Sequence, residues 1–353
     1  MRFCAACFPA NDAQHAKPHA GIIFWRGGMT SGGFLESLAA AARKNKKRIV
    51  LPEFARREVL GAAARAQRDG IADCVLLGAP AEINAAAAAH NITLPDSITA
   101  TLAPVAALAP PLAVLRARRG LSAEEAAAWL HSAPFAAAAM MVREKYADGM
   151  VAGAGAASAE VLRPVLQILG AAEARASSFF LMDMPQGAKL FADCALNVRP
   201  SAEELAAIAA QSAESARRFG IIPAVALLSY ATGDSAEGED AARIGRAAEI
   251  ARRNMPGVSV FGPAQYDAAV SPQIGARKAP QWKDAGRANV LVFPDLASGN
   301  IAYKAVQQAA GIAAVGPLLQ GIAAPANDLS RGATEDDIYY TIAATAVQAG
   351  AAD

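Results

Sequence analysis

Histidine, cysteine and charge are all scarce in this sequence. Four cysteines among 353 residues do not make a disulfide framework. Cys74 and Cys194 sit in the apolar stretches ADCVLLG and FADCALN, where buried free thiols are expected. Only His90 and His131 lie beyond residue 28, both in alanine-rich, helix-like surroundings, and both read as structural. With no Gly-x-Ser-x-Gly elbow either, a Ser-His-Asp hydrolase is disfavoured. Charged residues make up 18% of the chain and balance to a net charge of +1. That argues against a nucleic-acid-coating surface but allows a local basic pocket. No glycine loop ending in Gly-Lys-Ser/Thr occurs, so nucleotide triphosphate hydrolysis has no support.

No membrane span is expected. The uncharged stretch 305–327 is interrupted by Gln307, Gln308, Pro317, Gln320 and Pro325, and reads as a buried, turn-broken core segment. Residues 97–115 carry Pro104, Pro110 and Pro111. The start of the chain lacks a continuous apolar run ahead of a cleavage site, so a cytoplasmic protein is expected.

What is abundant is aliphatic: 54% of residues are hydrophobic, largely alanine, which favours a packed, helix-rich globule over disorder. Residues 1–28 stand apart. Cys4-x2-Cys7-x7-His15-x3-His19 holds metal-ligand residue types, but the Cys-to-His gap is short for a zinc finger. Met29, followed by TSGGFLESLAAAARK, resembles a more natural start. Residues 1–28 are therefore expected to be a disordered tail or an extension from a misassigned start.

From residue 48 short β-rich runs alternate with helical stretches. RIVLPE reads as a strand and 56–69 as a helix; ADCVLLG and 79–89 repeat the pattern. Helical patterns cover 121–146. DGMVAGAGA reads as a strand opening into a glycine turn, and 158–169 as a helix despite Pro164. A second series holds the strands SSFFLMDM, AKLFADCAL, PAVALLSY, VSVFGP and ANVLVFPD, with helices at 201–218, 236–254 and 297–310. This alternation predicts an α/β fold, its parallel sheets covered by helices, and the length fits two such domains. Ligands of open parallel sheets bind at the C-terminal ends of strands. The turns to watch are thus GAGAAS (153–158), SYATGDS (229–235), FPDLASGN (293–300) and NDLSRGATEDDI (327–338).

Gly153-Ala-Gly155-Ala-Ala-Ser158 approximates a dinucleotide fingerprint. Its third glycine is Ser158, and no strand ending in an acidic residue follows at the expected distance, so NAD binding is disfavoured. A glycine turn feeding a helix N-terminus still offers free backbone N–H groups to an anion. Arg163 lies near that end and by itself reads as a surface arginine. LRARRG (115–120) is either a helix C-terminus with dipole-offsetting cations or a phosphate patch. Thr334-x-x-Asp337 has the form of a capping box, yet Ser330, Arg331 and Asp337 also put a hydroxyl, a cation and a carboxylate near one glycine turn.

Taken in order, ten stretches make the chain resemble the phosphate acetyltransferase (phosphotransacetylase) family. They are RIVLPE, ADGMVAGA, LRPVLQILG, FADCALN, AAQSAESARRFGI, VALLSYATGDS, GPAQYDAAV, FPDLASGNIAYKAVQ, GPLLQG and NDLSRGA. The resemblance runs from about residue 30 to the C-terminus. It implies two α/β domains of the isocitrate/isopropylmalate dehydrogenase kind with a cleft between them, residues 29–173 with 322–353 and residues 174–321, the second supplying dimer contacts. It also implies reversible acetyl transfer between CoA and phosphate by direct thiolate attack in a ternary complex, with no metal or other cofactor, no nucleic acid and no membrane. Residue by residue, Asp337 matches the base that takes the thiol proton, and Arg331 the arginine that binds the acyl phosphate. Ser330 matches the serine that positions the thiol or donates to the oxyanion. Ser158 and Arg163 match a pair lining the substrate pocket, and Arg116 an arginine implicated in CoA binding, with Arg118 and Arg119 as register alternatives.

Two departures stand out. Phe54-Ala-Arg-Arg-Glu58 reverses the charges usual after LPE, and Ala231 replaces a hydroxyl. Acyl-chain preference, for acetyl over propionyl or butyryl, is not written in these motifs. An acetyl-CoA-binding regulatory domain is the main alternative. A dehydrogenase of related architecture is a third reading, weakened by the missing fingerprint and metal-binding aspartates.

Overall fold

Short leucine- and valine-rich runs become strands, and the alanine-rich stretches between them become helices, in two successive series. The computed structural model describes residues 33–102, 105–171 and 175–350. The expectations for residues 1–28, including the Cys4, Cys7, His15 and His19 pattern, lie outside the described residues. The first series is α1 (Gly33–Lys44), β1 (Lys47–Leu51), α2 (Arg57–Arg68), β2 (Ala72–Leu77), α3 (Pro80–Ala89) and β3 (Thr99–Thr101). It continues with α4 (Val105–Leu115), α5 (Ala123–Ser132), α6 (Pro134–Arg143), β4 (Gly149–Ala152) and α7 (Ser158–Leu169). The second is β5 (Ser177–Met182), β6 (Lys189–Ala192), α8 (Ala202–Arg218), β7 (Ala224–Leu228), α9 (Glu239–Asn254) and β8 (Ser259–Ala264). There follow α10 (Tyr266–Val270), α11 (Pro272–Lys278), β9 (Val290–Val292), α12 (Leu296–Ala310), β10 (Ala314–Gln320), β11 (Ala326–Asp328) and α13 (Glu335–Gly350).

One sheet has five strands, all parallel, in the order β11-β4-β1-β2-β3. The other has six, in the order β10-β5-β6-β9-β7-β8. Here β6, β9, β7 and β8 are parallel, while β5 runs antiparallel to both β6 and β10. The expected parallel sheet is therefore mixed at one edge. The short Pro185-Gln186-Gly187 turn between β5 and β6 has no room for a crossover helix, so it reverses the chain. Every residue of β4, β5, β6 and β9 is buried, which explains why they read as continuous apolar runs rather than alternating ones.

Local chemistry sets the helix starts. Ser122 with Glu125 and Ser201 with Glu204 form complete capping boxes for α5 and α8. The helical stretch 121–146 is two helices, because Pro134 lacks an N–H and takes the first position of α6. The proline-bearing stretch 97–115 also holds a helix: α4 keeps Pro110 and Pro111 inside it and buries Leu108, Ala109 and Leu112. Packing of that apolar face overrides the proline signal. β10 arises within the segment read as turn-broken, its register shifting between Val315 and Leu318, where Gly316 and Pro317 sit.

The chain crosses from the six-stranded to the five-stranded sheet between β10 and β11, and a buried polar cluster ties the crossing. Leu319 N–H donates to Asn327 Oδ1 at 2.8 Å, and Asn327 Nδ2 donates to Thr345 Oγ1 at 2.8 Å and Gln348 Oε1 at 2.7 Å. Gln348 Nε2 returns to the Leu319 carbonyl at 3.1 Å. Fully partnered buried clusters of this kind admit few alternatives, so this one holds β11, and the turn that follows it, against the second sheet. No helix among the described residues is long and apolar enough to cross a membrane.

Candidate active site

A cavity of about 1000 Å³ is lined from both sheets. The five-stranded side supplies Ser158 at the start of α7, and Leu329, Ser330 and Arg331 just after β11. The six-stranded side supplies Phe180, Cys194, Arg199, Asp240, Asp295, Asn300, Tyr303, Lys304 and Pro317 among others. These groups come largely from strand ends and the turns after them, as expected of an α/β site.

Three of the six residues singled out in the sequence, Ser158, Ser330 and Arg331, thus share one cavity. Arg163, Arg116 and Asp337 are not among its lining residues. Arg163 is exposed on α7, and Arg116 is half-buried before the short 3-10 turn Ala117–Arg119. Asp337 sits in the first turn of α13. Its Oδ2 accepts from Thr334 N–H at 2.9 Å and from Thr334 Oγ1 at 2.8 Å, and Asp337 N–H donates back to Thr334 Oγ1 at 3.2 Å. That is a capping box, and both bonds from Thr334 fall on one carboxylate oxygen. Just upstream, Ala333 N–H closes on the Ser330 carbonyl at 2.9 Å, so Ser330 and Arg331 stand out on a tight turn. Gly332 has φ +84°, a conformation that favours glycine.

The glycine turn after β4 does gather an anion, but the anion is the protein's own. Glu53 Oε2 accepts from Gly153 N–H at 2.5 Å and Ala154 N–H at 2.9 Å, and Oε1 from Gly155 N–H at 2.9 Å. Three of the N–H groups that the sequence offered to a ligand, those of Gly153, Ala154 and Gly155, are therefore occupied. Gly153 has φ +103°, and a Cβ there would collide with Asp328 Oδ1; a Cβ on Gly155 would collide with the Arg56 Nε. At Gly153 the positive φ and the Leu329 backbone call for glycine, whereas at Gly155 a Cβ would only make the Arg56 side chain shift. The unusual Phe54–Glu58 segment is accounted for in part: Phe54 covers Gly78 and Arg56 covers Gly155.

Cations outnumber carboxylates in the lining: Arg199, Lys304 and Arg331 against Asp240 and Asp295. Asp240 is already engaged, held below the usual carboxylate range by a hydrogen bond from Arg243 and by the charge of Arg199. Asp295 caps α12, accepting from Ser298 N–H at 2.8 Å. Among the described residues Arg331 makes no ion pair. Lys304 Nζ stands 5.0 Å over the Tyr303 ring, which stacks on Phe180 at 3.9 Å. This arrangement suits a ligand with an anionic end and an apolar fragment.

Two further groups border the cleft. Cys194 is a buried free thiol, as expected, and burial pushes it well above the ordinary thiol range, so it is a poor nucleophile. Asp328, at the end of β11, is only 1% exposed. Burial raises its carboxyl to about 6, with Glu53's charge adding to the rise. Ser158's hydroxyl and Leu329's N–H face it and oppose that shift, yet neither carboxylate oxygen completes a hydrogen bond of ordinary geometry.

Lys304, Arg199, Glu53 and Asp328 escaped the sequence reading as site residues. All four lie in or beside the stretches that carried the resemblance, but nothing in local spacing says which way they face. Among the described residues no group of three or more His, Cys, Asp or Glu is placed to hold a metal ion.

The phosphate acetyl/butaryl transferase family matches residues 33–346. A phosphate acetyltransferase of Deinococcus radiodurans is 44% identical over 321 residues, 90% of this chain and 45% of that protein. The chain spans about half the length of the curated relatives it matches. The solved EutD phosphotransacetylase from Staphylococcus aureus superimposes with a TM-score of 0.83 at 34% identity, covering 91% of this chain and 100% of that one. A 4-hydroxythreonine-4-phosphate dehydrogenase from Klebsiella pneumoniae has a TM-score of 0.53 at 13% identity, covering 86% and 98%; that likeness is one of fold alone.

Proposed function

Because the chain belongs to the phosphate acetyl/butaryl transferase family, we propose that it transfers an acetyl group reversibly between CoA and phosphate. The observation that carries this reading is the convergence of Ser158, Ser330 and Arg331 in one cleft with Lys304. In the proposed reaction the CoA thiol loses its proton to the Asp337 carboxylate through Oδ1, the oxygen outside the two Thr334 bonds. The thiolate attacks the acetyl carbonyl of acetyl phosphate; the C–S bond forms, the C–O bond to phosphorus breaks, and phosphate leaves with the electron pair. A free thiol is only a few per cent ionised at neutral pH, so a base has a task.

Arg331 supplies several planar donors to the phosphoryl oxygens and to the carbonyl oxygen as charge develops. Ser330 donates beside it or steadies the thiol, and Ser158, at the start of α7 on the same side of the cleft, also meets the phosphoryl group. Arg163 and Arg116, outside the cavity, are assigned to the remoter anionic parts of the substrates. Both substrates are polyanions, and holding them together against repulsion is a large share of the work. The mechanism uses no metal or other cofactor.

We place the reaction in the cytoplasm, in a homodimer of chains each divided into residues 29–173 with 322–353 and residues 174–321. The matching family covers butaryl as well as acetyl transfer, so longer acyl groups are the second reading. Release of free thiol from acetyl-CoA on addition of phosphate, with NAD as a control addition, tests the proposal. Absence of phosphate-dependent release would sink it, and propionyl- and butyryl-CoA in the same assay rank the acyl groups.

A further inference from the structure

Asp328 is a buried carboxylate beside the cleft that the proposed mechanism does not use. It is 1% exposed, and neither of its oxygens completes a hydrogen bond of ordinary geometry among the described residues, although Ser158's hydroxyl and Leu329's N–H face it. Buried polar groups left in that state are rare and call for a reason. Its position suggests one. Oδ1 occupies the space that a Cβ on Gly153 would take, the Ser158 hydroxyl faces the carboxyl group, and Leu329, Ser330 and Arg331 follow directly into the cavity lining.

We infer that Asp328 is a positioning residue for the reaction proposed above, on which this inference rests: its carboxyl group fixes the direction of the Ser158 hydroxyl, and so how that hydroxyl meets the phosphoryl oxygens. A serine hydroxyl has one proton to give. An ionised carboxylate behind it would hold that proton and turn only lone pairs toward a polyanion. A neutral carboxyl donates its own proton to Ser158 Oγ and frees the serine proton for a phosphoryl oxygen.

The surroundings bring the neutral form within reach: the carboxyl is still mostly ionised in the empty cleft at neutral pH, and the added charge of a bound phosphoryl group completes its protonation. Glu53 is the charged group that acts on Asp328, and it is committed to three backbone N–H groups of the glycine turn. β4 and β10 carry no charged side chain. From α7 comes Ser158, with Glu160 exposed in the same turn. α13 turns Thr345 and Gln348 to the neighbouring Asn327. Arg331, three residues on, is exposed at the cleft. A phosphoryl group entering the cleft adds negative charge and pushes the same way.

The test is steady-state kinetics with thermal unfolding for Asp328→Ala, Asp328→Asn, Ser158→Ala and the Asp328→Ala/Ser158→Ala pair. Asp328→Ala is expected to raise KM for acetyl phosphate about tenfold or more, leaving KM for CoA within about twofold. Its unfolding midpoint at neutral pH should not fall enough to explain the loss. Asp328→Asn, whose amide donates as a neutral carboxyl does, should restore KM to within about twofold of wild type. In the Ser158→Ala background the Asp328→Ala change should cost nothing further. The inference is overturned by normal acetyl phosphate kinetics in Asp328→Ala, by an Asn variant as damaged as the Ala variant, or by losses that simply multiply in the pair. A wild-type chain without phosphate-dependent CoA release would overturn the functional reading itself, and this inference with it.

Discussion

Glu53 Oε2 lies 2.5 Å from the amide nitrogen of Gly153, a residue one hundred positions further along the chain. That bond and its two companions close the turn from which Ser158 and α7 start. The same geometry that elsewhere captures a ligand anion is used here to pin β1 to the loop after β4.

Glu53→Gln keeps the shape but loses the charge and sets an amide NH2 against backbone N–H groups. Hydrogen bonds to charged groups are worth roughly 1.5–3 kcal/mol each, and the three share one carboxylate. A total loss of about 2–4 kcal/mol is therefore expected on denaturant unfolding. Turnover should fall as the turn loosens around Ser158. An unchanged unfolding midpoint would mean that the turn does not depend on this carboxylate.

The Asp328 carboxyl costs stability at neutral pH. Its ordinary value of 3.8 rises to about 6 in the fold, so the unfolded chain releases this proton first as pH rises. The stability it contributes is complete below 3.8 and is lost by the time pH passes about 6, a loss of roughly 3 kcal/mol at most. Asp328→Asn should escape that loss. Unfolding midpoints followed across the acid range should show the variant gaining on wild type as pH rises from about 4 to about 6, then holding level. A gain that is constant with pH would contradict the assignment.

Asp337→Asn separates two roles that share one side chain. The amide oxygen can still accept from Thr334, so the cap should change by no more than about 1 kcal/mol. Loss of the base should lower turnover roughly a hundredfold or more, and raising the pH should recover part of it as the free thiol ionises. Near-normal turnover in this variant would confine Asp337 to capping.

Much of this could be read from the residues alone, for reasons that differ by element. β4, β5, β6 and β9 were legible because strands buried on both faces are continuous apolar runs. α4 and β10 were not, because Pro110, Pro111, Gly316 and Pro317 signal breaks that packing overrides. At the site, Ser158, Ser330 and Arg331 lay in turns where ligands meet such folds, but it was the ordered resemblance along the chain that singled them out. The anion in the glycine turn was missed because Glu53 is distant in sequence. The state of Asp328 was missed because burial is a property of three dimensions, and no spacing encodes it.

The most direct measurement follows free thiol release from acetyl-CoA with and without phosphate, for the wild type and for Arg331→Ala. Arg331 is exposed and without an ion pair among the described residues, so its removal should leave the unfolding midpoint near that of wild type. The wild type should release thiol only when phosphate is present, and Arg331→Ala should lose about 10²- to 10³-fold in turnover. Release that ignores phosphate, or an Arg331→Ala variant that turns over like the wild type, would contradict the account.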